Sequence, residues 1–244
     1  MIQAIKIAER AKLPVIVTTD GFIISHGMER IEILSDEDVK KFIGEYKPEH
    51  YLLKTENPIT IGALDLPDYY FEHRRQVAEA MKDSKSIISD VGREYGQKSG
   101  RPYELFEKYK LDDAEYAIVA MGSTAGTTKV VIDSLRDKGM KAGLLKPRVF
   151  RPFPKEEIAD ALKGLKAIAV MDRSDSMNGG EGPLCLEVKA ALYDKGLNKT
   201  MVNYIYGLGG REIRIQDIED IYKEISDAAK GKAVDKVNYL GVRA

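Results

Sequence analysis

From Glu115 onward, short runs of consecutive apolar residues alternate with stretches of helical period, and that rhythm leaves few folds open. Residues 116–121, 142–150, 167–171 and 201–206 read as strands covered on both faces. Between them, residues 127–138 carry Val130, Val131 and Leu135 on one helical face and stop at Gly139. Pro154 opens the next helix, with Glu156 and Glu157 in its first turn. A glycine-rich loop at 178–182 precedes a helix over about 184–195, and Ile218, Ile221, Tyr222 and Ile225 mark a last one. Strands that alternate with helices need right-handed crossovers, so the expected core is a mostly parallel sheet.

The first part of the chain is less regular. Ile2, Ala4, Ile5 and Ala8 have helical spacing, but no Ser, Thr, Asp or Asn precedes them as an N-cap. Residues 13–17 then read as a short, fully apolar strand. Such a strand needs neighbours on both sides, so the pattern predicts a chain that begins inside a domain, the rest lying upstream or on another polypeptide. Ser35 followed by Asp36, Glu37 and Asp38 predicts a capped helix start. Residues 44–68 read as a long loop of the kind used for binding or assembly. Residues 69–96 read as a long helix, broken by Gly100 and Pro102. Residues 105–113 read as a charged linker, which sets the expected domains at 1–112 and 113–244.

Lys and Arg total 38 against 39 Asp and Glu, a net charge of -1, which argues against a nucleic-acid protein and gives no reason for docking on a membrane. Without a long apolar run or a signal peptide, the chain reads as soluble and cytoplasmic. The single Cys185 excludes an internal disulfide and an iron–sulfur cluster built by this chain alone. Its neighbours Leu184 and Leu186 mark it as a small core residue.

In an open parallel sheet, ligands gather outside the carboxyl ends of the strands. The residues expected there are the run from Gly122 to Thr128, Arg148 with Arg151, Asp172 with Arg173, and the run from Gly207 to Arg211. The first turn is neither a phosphate-binding Gly-Lys-Ser/Thr loop nor GxGxxG. Either the arginines take a small phosphate or carboxylate ligand, or they pair with acids of a partner chain and the small residues only serve tight turns. Asp20 and His26 flank a strand exit. They form either an acid–base pair or a structural and interface element, and no nucleophile accompanies them. Asp20, His26, Arg148, Arg151, Arg173 and Arg211 are therefore candidates for an interface or a ligand rim, and no catalytic or metal-binding residue is assigned.

Several runs, in order, resemble the alpha chain of the pyruvate:ferredoxin oxidoreductase (pyruvate synthase) family. They are Thr19-Asp-Gly-Phe-Ile-Ile-Ser-His26, Gly62-Ala-Leu-Asp, Asp68-Tyr-Tyr-Phe-Glu72, Val91-Gly-Arg-Glu94, Ala120-Met-Gly-Ser-Thr-Ala-Gly126, Arg148-Val-Phe-Arg-Pro-Phe-Pro154, Asp172-Arg-Ser174 and Tyr204-Ile-Tyr-Gly-Leu-Gly-Gly-Arg211. The resemblance implies an α/β chain: the C-terminal part of a thiamine-diphosphate pyrimidine-type domain, then a transketolase C-terminal-like parallel α/β domain. It implies oxidation of pyruvate with coenzyme A to acetyl-CoA and CO2, with electrons passed to ferredoxin. The branched-chain 2-oxoacid enzyme and a non-catalytic assembly module are the alternatives. Thiamine diphosphate, Mg and iron–sulfur clusters would belong to the whole complex and none to this chain alone. Partners would be subunits of beta, gamma and delta type and a separate N-terminal alpha piece. That piece would hold the glutamate that activates thiamine, so this chain is expected to be inactive alone. The run from Ser174 to Pro183 is more polar than the family's version.

Overall fold

The computed structural model describes residues 1–62, 64–177 and 179–243. Ala63 of the Gly62 motif and Asn178 of the glycine-rich loop lie outside the described residues. The chain divides into two compact units: one of residues 1–18 and 29–104, the other of residues 19–28 and everything from Leu105 on.

The first unit is helical. Helix α1 (Ile2–Ala11) has no side-chain cap at its start and ends on Lys12 in the left-handed region. Helix α2 (Asp36–Ile43) begins as its sequence requires. The Ser35 hydroxyl oxygen accepts the Asp38 N–H at 3.2 Å, and three acids sit in the first turn. Helix α3 (Pro67–Ser99) extends past both ends of the expected 69–96. Pro67 loses nothing at a first-turn position, and Gly100 takes the left-handed conformation that stops it.

Ile7, Ala11, Phe42, Ile88 and Val91 form this unit's small core. Lys6 Nζ donates to Glu94 at 2.7 Å and to the Phe42 carbonyl at 2.6 Å, and lies 4.4 Å from the Phe42 ring centre. Gly92 is buried where Tyr103 crosses α3. A Cβ there would stand 2.1 Å from the Tyr103 carbonyl oxygen, so this position admits only glycine without a backbone shift. The Val91-Gly-Arg-Glu94 run is thus a packing motif: one core side chain, one close approach and one ion pair.

Residues 13–17 do not form the expected strand. They join no sheet, and Ile16 is 86% exposed. The composition has strand propensity, but a ladder needs a second strand, and none of the described residues pairs with them.

The second unit is a six-stranded sheet in the order β1-β3-β2-β4-β5-β6. The strands are β1 (Phe106–Tyr109), β2 (Tyr116–Ala120), β3 (Ala142–Pro147), β4 (Ala167–Asp172), β5 (Thr200–Ile205) and β6 (Val237–Tyr239). All neighbours run parallel except β1, which pairs antiparallel with β3. Strand β1 corrects the reading of 105–113 as a plain linker. Its Glu107 and Lys108 are exposed, as suits an edge strand, and that polarity hid it. Every residue of β2 and β4 is buried. Helices α4 (Thr124–Asp137) and α7 (Ile215–Ala229) cover one face with Val131, Ile132, Ile221 and Ile225. Helices α5 (Lys155–Leu162) and α6 (Pro183–Asp194) cover the other with Ile158, Leu162, Cys185 and Val188. Among the described residues, no helix is long and apolar enough to cross a membrane.

Candidate functional site at the sheet's carboxyl edge

The chain winds from β2 to β3 on one side and then returns to place β4 on the other side of β2. The carboxyl ends of β2 and β4 therefore flank a topological switch point, where the two crossovers diverge and open a crevice. Here a side chain of the same unit enters it. The Asp20 carboxylate accepts the Ser123 N–H at the start of α4, and its other oxygen lies 3.2 Å from Arg173 Nη1. A carboxylate at a helix N-terminus offsets the partial positive charge of the unpaired N–H groups there.

The turn chemistry follows from this contact. Gly122 has φ +66°, and a Cβ there would lie 2.5 Å from Asp20 Oδ2. The Arg173 guanidinium lies over the Tyr206 ring, 5.3 Å from its centre, while the Tyr206 hydroxyl and Thr124 Oγ1 are 2.7 Å apart. Burial raises the Tyr206 phenol above its ordinary range, so it stays neutral. Arg173 Nε is buried without a hydrogen-bond partner among the described residues.

Behind this rim, Asp172 is buried. Its Oδ1 accepts the Leu184 N–H at 2.7 Å, and its Oδ2 accepts the Cys185 N–H at 3.1 Å and Asn203 Nδ2 at 2.9 Å. It therefore caps α6 from the end of β4. Burial raises its carboxyl above the usual range, and the hydrogen bonds it accepts work against that. Asn203 Oδ1 accepts the Gly182 N–H at 2.8 Å, and a Cβ on Gly182 would meet Asp172 Cγ at 2.2 Å.

Of the candidate residues, the structure brings Asp20 and Arg173 together. His26 is elsewhere: its Nδ1 lies 2.9 Å from Ser25 Oγ and its ring stacks on Phe22 at 4.6 Å, so it forms no acid–base pair with Asp20. Arg148 follows β3, where its N–H donates to the Leu105 carbonyl at 3.0 Å. Arg151 donates to Glu187 at 2.7 Å and lies over the Phe150 ring. Arg211 is exposed and donates to the Gly241 carbonyl. Sequence reasoning placed Thr124 within the edge run but missed its partner Tyr206 and Asn203. A polar side chain on an otherwise apolar strand, as with Asn203 in β5, was the one available signal.

The arrangement is chemically a clamp: the Asp20 carboxylate joins the α4 N-terminus to the Arg173 cation, which lies over the Tyr206 ring, while Arg173 Nε has no partner among the described residues. Among the described residues, no group of three His, Cys, Asp or Glu is placed to hold a metal ion, and both Asp172 oxygens already accept hydrogen bonds.

Two family models match the chain. Residues 1–93 match "Pyruvate flavodoxin/ferredoxin oxidoreductase, thiamine diP-bdg", and residues 114–218 match "Pyruvate:ferredoxin oxidoreductase core domain II". Pyruvate synthase subunit PorA of Thermotoga maritima is 47% identical over 99% of this chain and 62% of its own length. The same subunit of Methanocaldococcus jannaschii is 44% identical over 93% of this chain and 59% of its own. Ketoisovalerate oxidoreductase subunit VorA of Pyrococcus abyssi is 40% identical over 97% of this chain and 60% of its own. The chain thus spans about three fifths of the length of these curated relatives.

Proposed function

The chain belongs to the pyruvate:ferredoxin oxidoreductase family, and on that premise we propose that it serves as part of the alpha subunit of a pyruvate synthase. The complex would convert pyruvate and coenzyme A to acetyl-CoA and CO2 and pass the electrons to ferredoxin. The observation that carries this reading is the 47% identity to a pyruvate synthase subunit along nearly the whole chain, through both units. On this reading, residues 1–112 are the C-terminal part of a pyrimidine-type domain and residues 113–244 a transketolase C-terminal-like domain.

Thiamine diphosphate, when bound in the complex, supplies the stabilised carbanion that 2-oxoacid chemistry needs. Magnesium and iron–sulfur clusters would be held by the rest of a cytoplasmic complex with beta-, gamma- and delta-type subunits. This chain's own contribution is scaffolding. Asp20 fixes residues 19–28 to the carboxyl edge of the sheet, and Arg148, Arg151 and Arg211 stand as rim residues for partner chains or an acidic ligand.

The test is purification of the assembled complex from its native host, followed by pyruvate- and coenzyme A-dependent reduction of ferredoxin. Activity in the complex and none in the isolated chain is the expected result. A complex that carries this chain and ignores 2-oxoacids would overturn the reading. The ketoisovalerate enzyme is the second reading, favoured by the 40% identity to a VorA subunit. The ratio of kcat/KM for pyruvate and ketoisovalerate separates the two.

A further inference from the structure

Residues 19–28 meet the carboxyl edge of the sheet and are tied to it by one side chain. Among the described residues, every hydrogen bond and ion pair that leaves this segment runs through Asp20. Apart from Asp20, each residue of the segment is exposed, with Phe22 at 70% and Met28 at 100%. Little packing therefore backs the single polar anchor.

Within itself the segment is well tied. The Ile23 N–H donates to the Gly21 carbonyl at 2.8 Å, and the His26 N–H to the Phe22 carbonyl at 2.9 Å. The Ser25 hydroxyl oxygen accepts the Phe22 N–H at 2.9 Å, and the Phe22 and His26 rings stack. Phe22 has φ +62°, a left-handed conformation that a bulky residue keeps only where its contacts fix it. All of these contacts lie inside the segment, so none of them needs the sheet. A piece with its own internal contacts and one outside tie opens and closes as a local cooperative unit.

We propose that residues 19–28 form a strap that swings off the carboxyl edge of the sheet, with Asp20 as its latch and Arg173 as the group it uncovers. The latch is built for reversible release. Its ion pair is partly exposed, so water and salt screen it and its net contribution is small. The closed state also leaves one donor unsatisfied, because Arg173 Nε is buried with no partner among the described residues. Glycines leave room for the two latch groups: a Cβ on Gly122 would stand 2.5 Å from Asp20 Oδ2, and one on Gly207 2.7 Å from Arg173 Nε. The closed strap neutralises Arg173 and the start of α4 from within the chain. The open strap leaves that positive charge facing solvent at the switch point, so the segment gates the crevice between the ends of β2 and β4.

The experiment uses the full chain with spin labels at two exposed positions, Met28→Cys on the strap and Val130→Cys on α4, while the native Cys185 is buried. The distance distribution is compared at about 0.1 M and about 1 M NaCl, where the screening length falls from roughly 10 to 3 Å. The expected result is two resolved distances, the longer one gaining population at high salt. Asp20→Asn, a substitution of nearly equal shape, should raise the open-to-closed ratio about threefold to fivefold at low salt and abolish most of the salt response. Phenylglyoxal labelling of Arg173, mapped by mass spectrometry, should rise with the open population, and labelling of the exposed control Arg30 should not. A single distance that ignores both salt and Asp20→Asn would overturn the proposal, as would one that merely broadens. Arg173 labelling indifferent to Asp20→Asn would overturn it too. The salt comparison uses the parent sequence at position 20, so the test does not hang on that variant. The strap depends on this chain's own contacts, and the outcome stands whichever 2-oxoacid the complex takes.

Discussion

The two units bury apolar residues to very different ends. In the α/β unit, Tyr116–Ala120 has a parallel neighbour on each side and helices on both faces, and all five residues are buried. In the helical unit, residues 14–18 are equally apolar and stay open to solvent. The difference lies not in the side chains but in what the surrounding chain supplies. An apolar run becomes a strand only when other strands satisfy its backbone, because each unpaired and desolvated amide costs as much as a lost hydrogen bond. Apolar content alone therefore reads as a demand for partners.

The contrast can be broken most directly by truncating one isoleucine in each unit. Ile118→Ala removes a fully buried side chain of β2 and should cost about 3 kcal/mol by chemical denaturation. Ile16→Ala should fall within about 0.5 kcal/mol of the parent in the isolated chain. Equal losses would show that Ile16 is packed and would erase the distinction.

The next effect tests whether the helical unit has a real core of its own. Gly92→Ala forces a Cβ against the Tyr103 carbonyl and should cost about 2 kcal/mol. The loss should appear as faster amide exchange in α1 and α3, with the sheet unaffected. Unchanged exchange in α3 would mean that the crossing of Tyr103 is loose.

A smaller effect concerns pH. Burial raises the Asp172 carboxyl, so the folded chain holds this proton at pH values where the unfolded chain has lost it. Its contribution to stability is complete below the unfolded value and falls as pH rises through the window up to the raised folded value. The surface carboxylates Asp113, Asp133 and Asp217 are held low, first by hydrogen bonds to Arg136, Lys110 and Arg214, and act in the opposite sense, losing stability as pH falls. Asp172→Asn should cost about 1–2 kcal/mol near neutrality, since one acceptor for α6 is lost, and should remove the Asp172 component of the slope. Superimposable pH profiles for parent and variant would contradict this.

The smallest effect is at the rim. Asp20 and Arg173 keep 16% and 28% of their side-chain exposure, so water screens the pair, and Asp20→Asn should cost up to about 1 kcal/mol. The sharper readout is local: faster exchange of the Ser123 amide and of residues 19–28. A loss as large as that of Ile118→Ala would make the clamp part of the core.

These outcomes also mark what the sequence makes legible. The sheet order could not be read from it, but the strands, helices and stops of residues 116–229 could, because each local signal agrees with its neighbours. Gly139 and Pro154 fall where α4 ends and α5 begins. Strand β6 escaped because it has three residues, none of them buried. The rim was half visible. Arg173 follows a buried strand and was found by position. Its partner Asp20 lies 153 residues earlier, and no local pattern announces a contact of that span.

The lone cysteine turns this architecture into a clock. Cys185 is fully buried in the first turn of α6, directly above the Asp172 cap, and burial pushes its thiol up to about 12. At neutral pH, thiolate, the nucleophilic form, is scarce, and reagents have no path to the sulfur. Alkylation of the native chain is therefore gated by opening of the α/β unit. With no second thiol to compete, the labelling half-time reports how often that unit breathes. The helical unit contributes no signal to it.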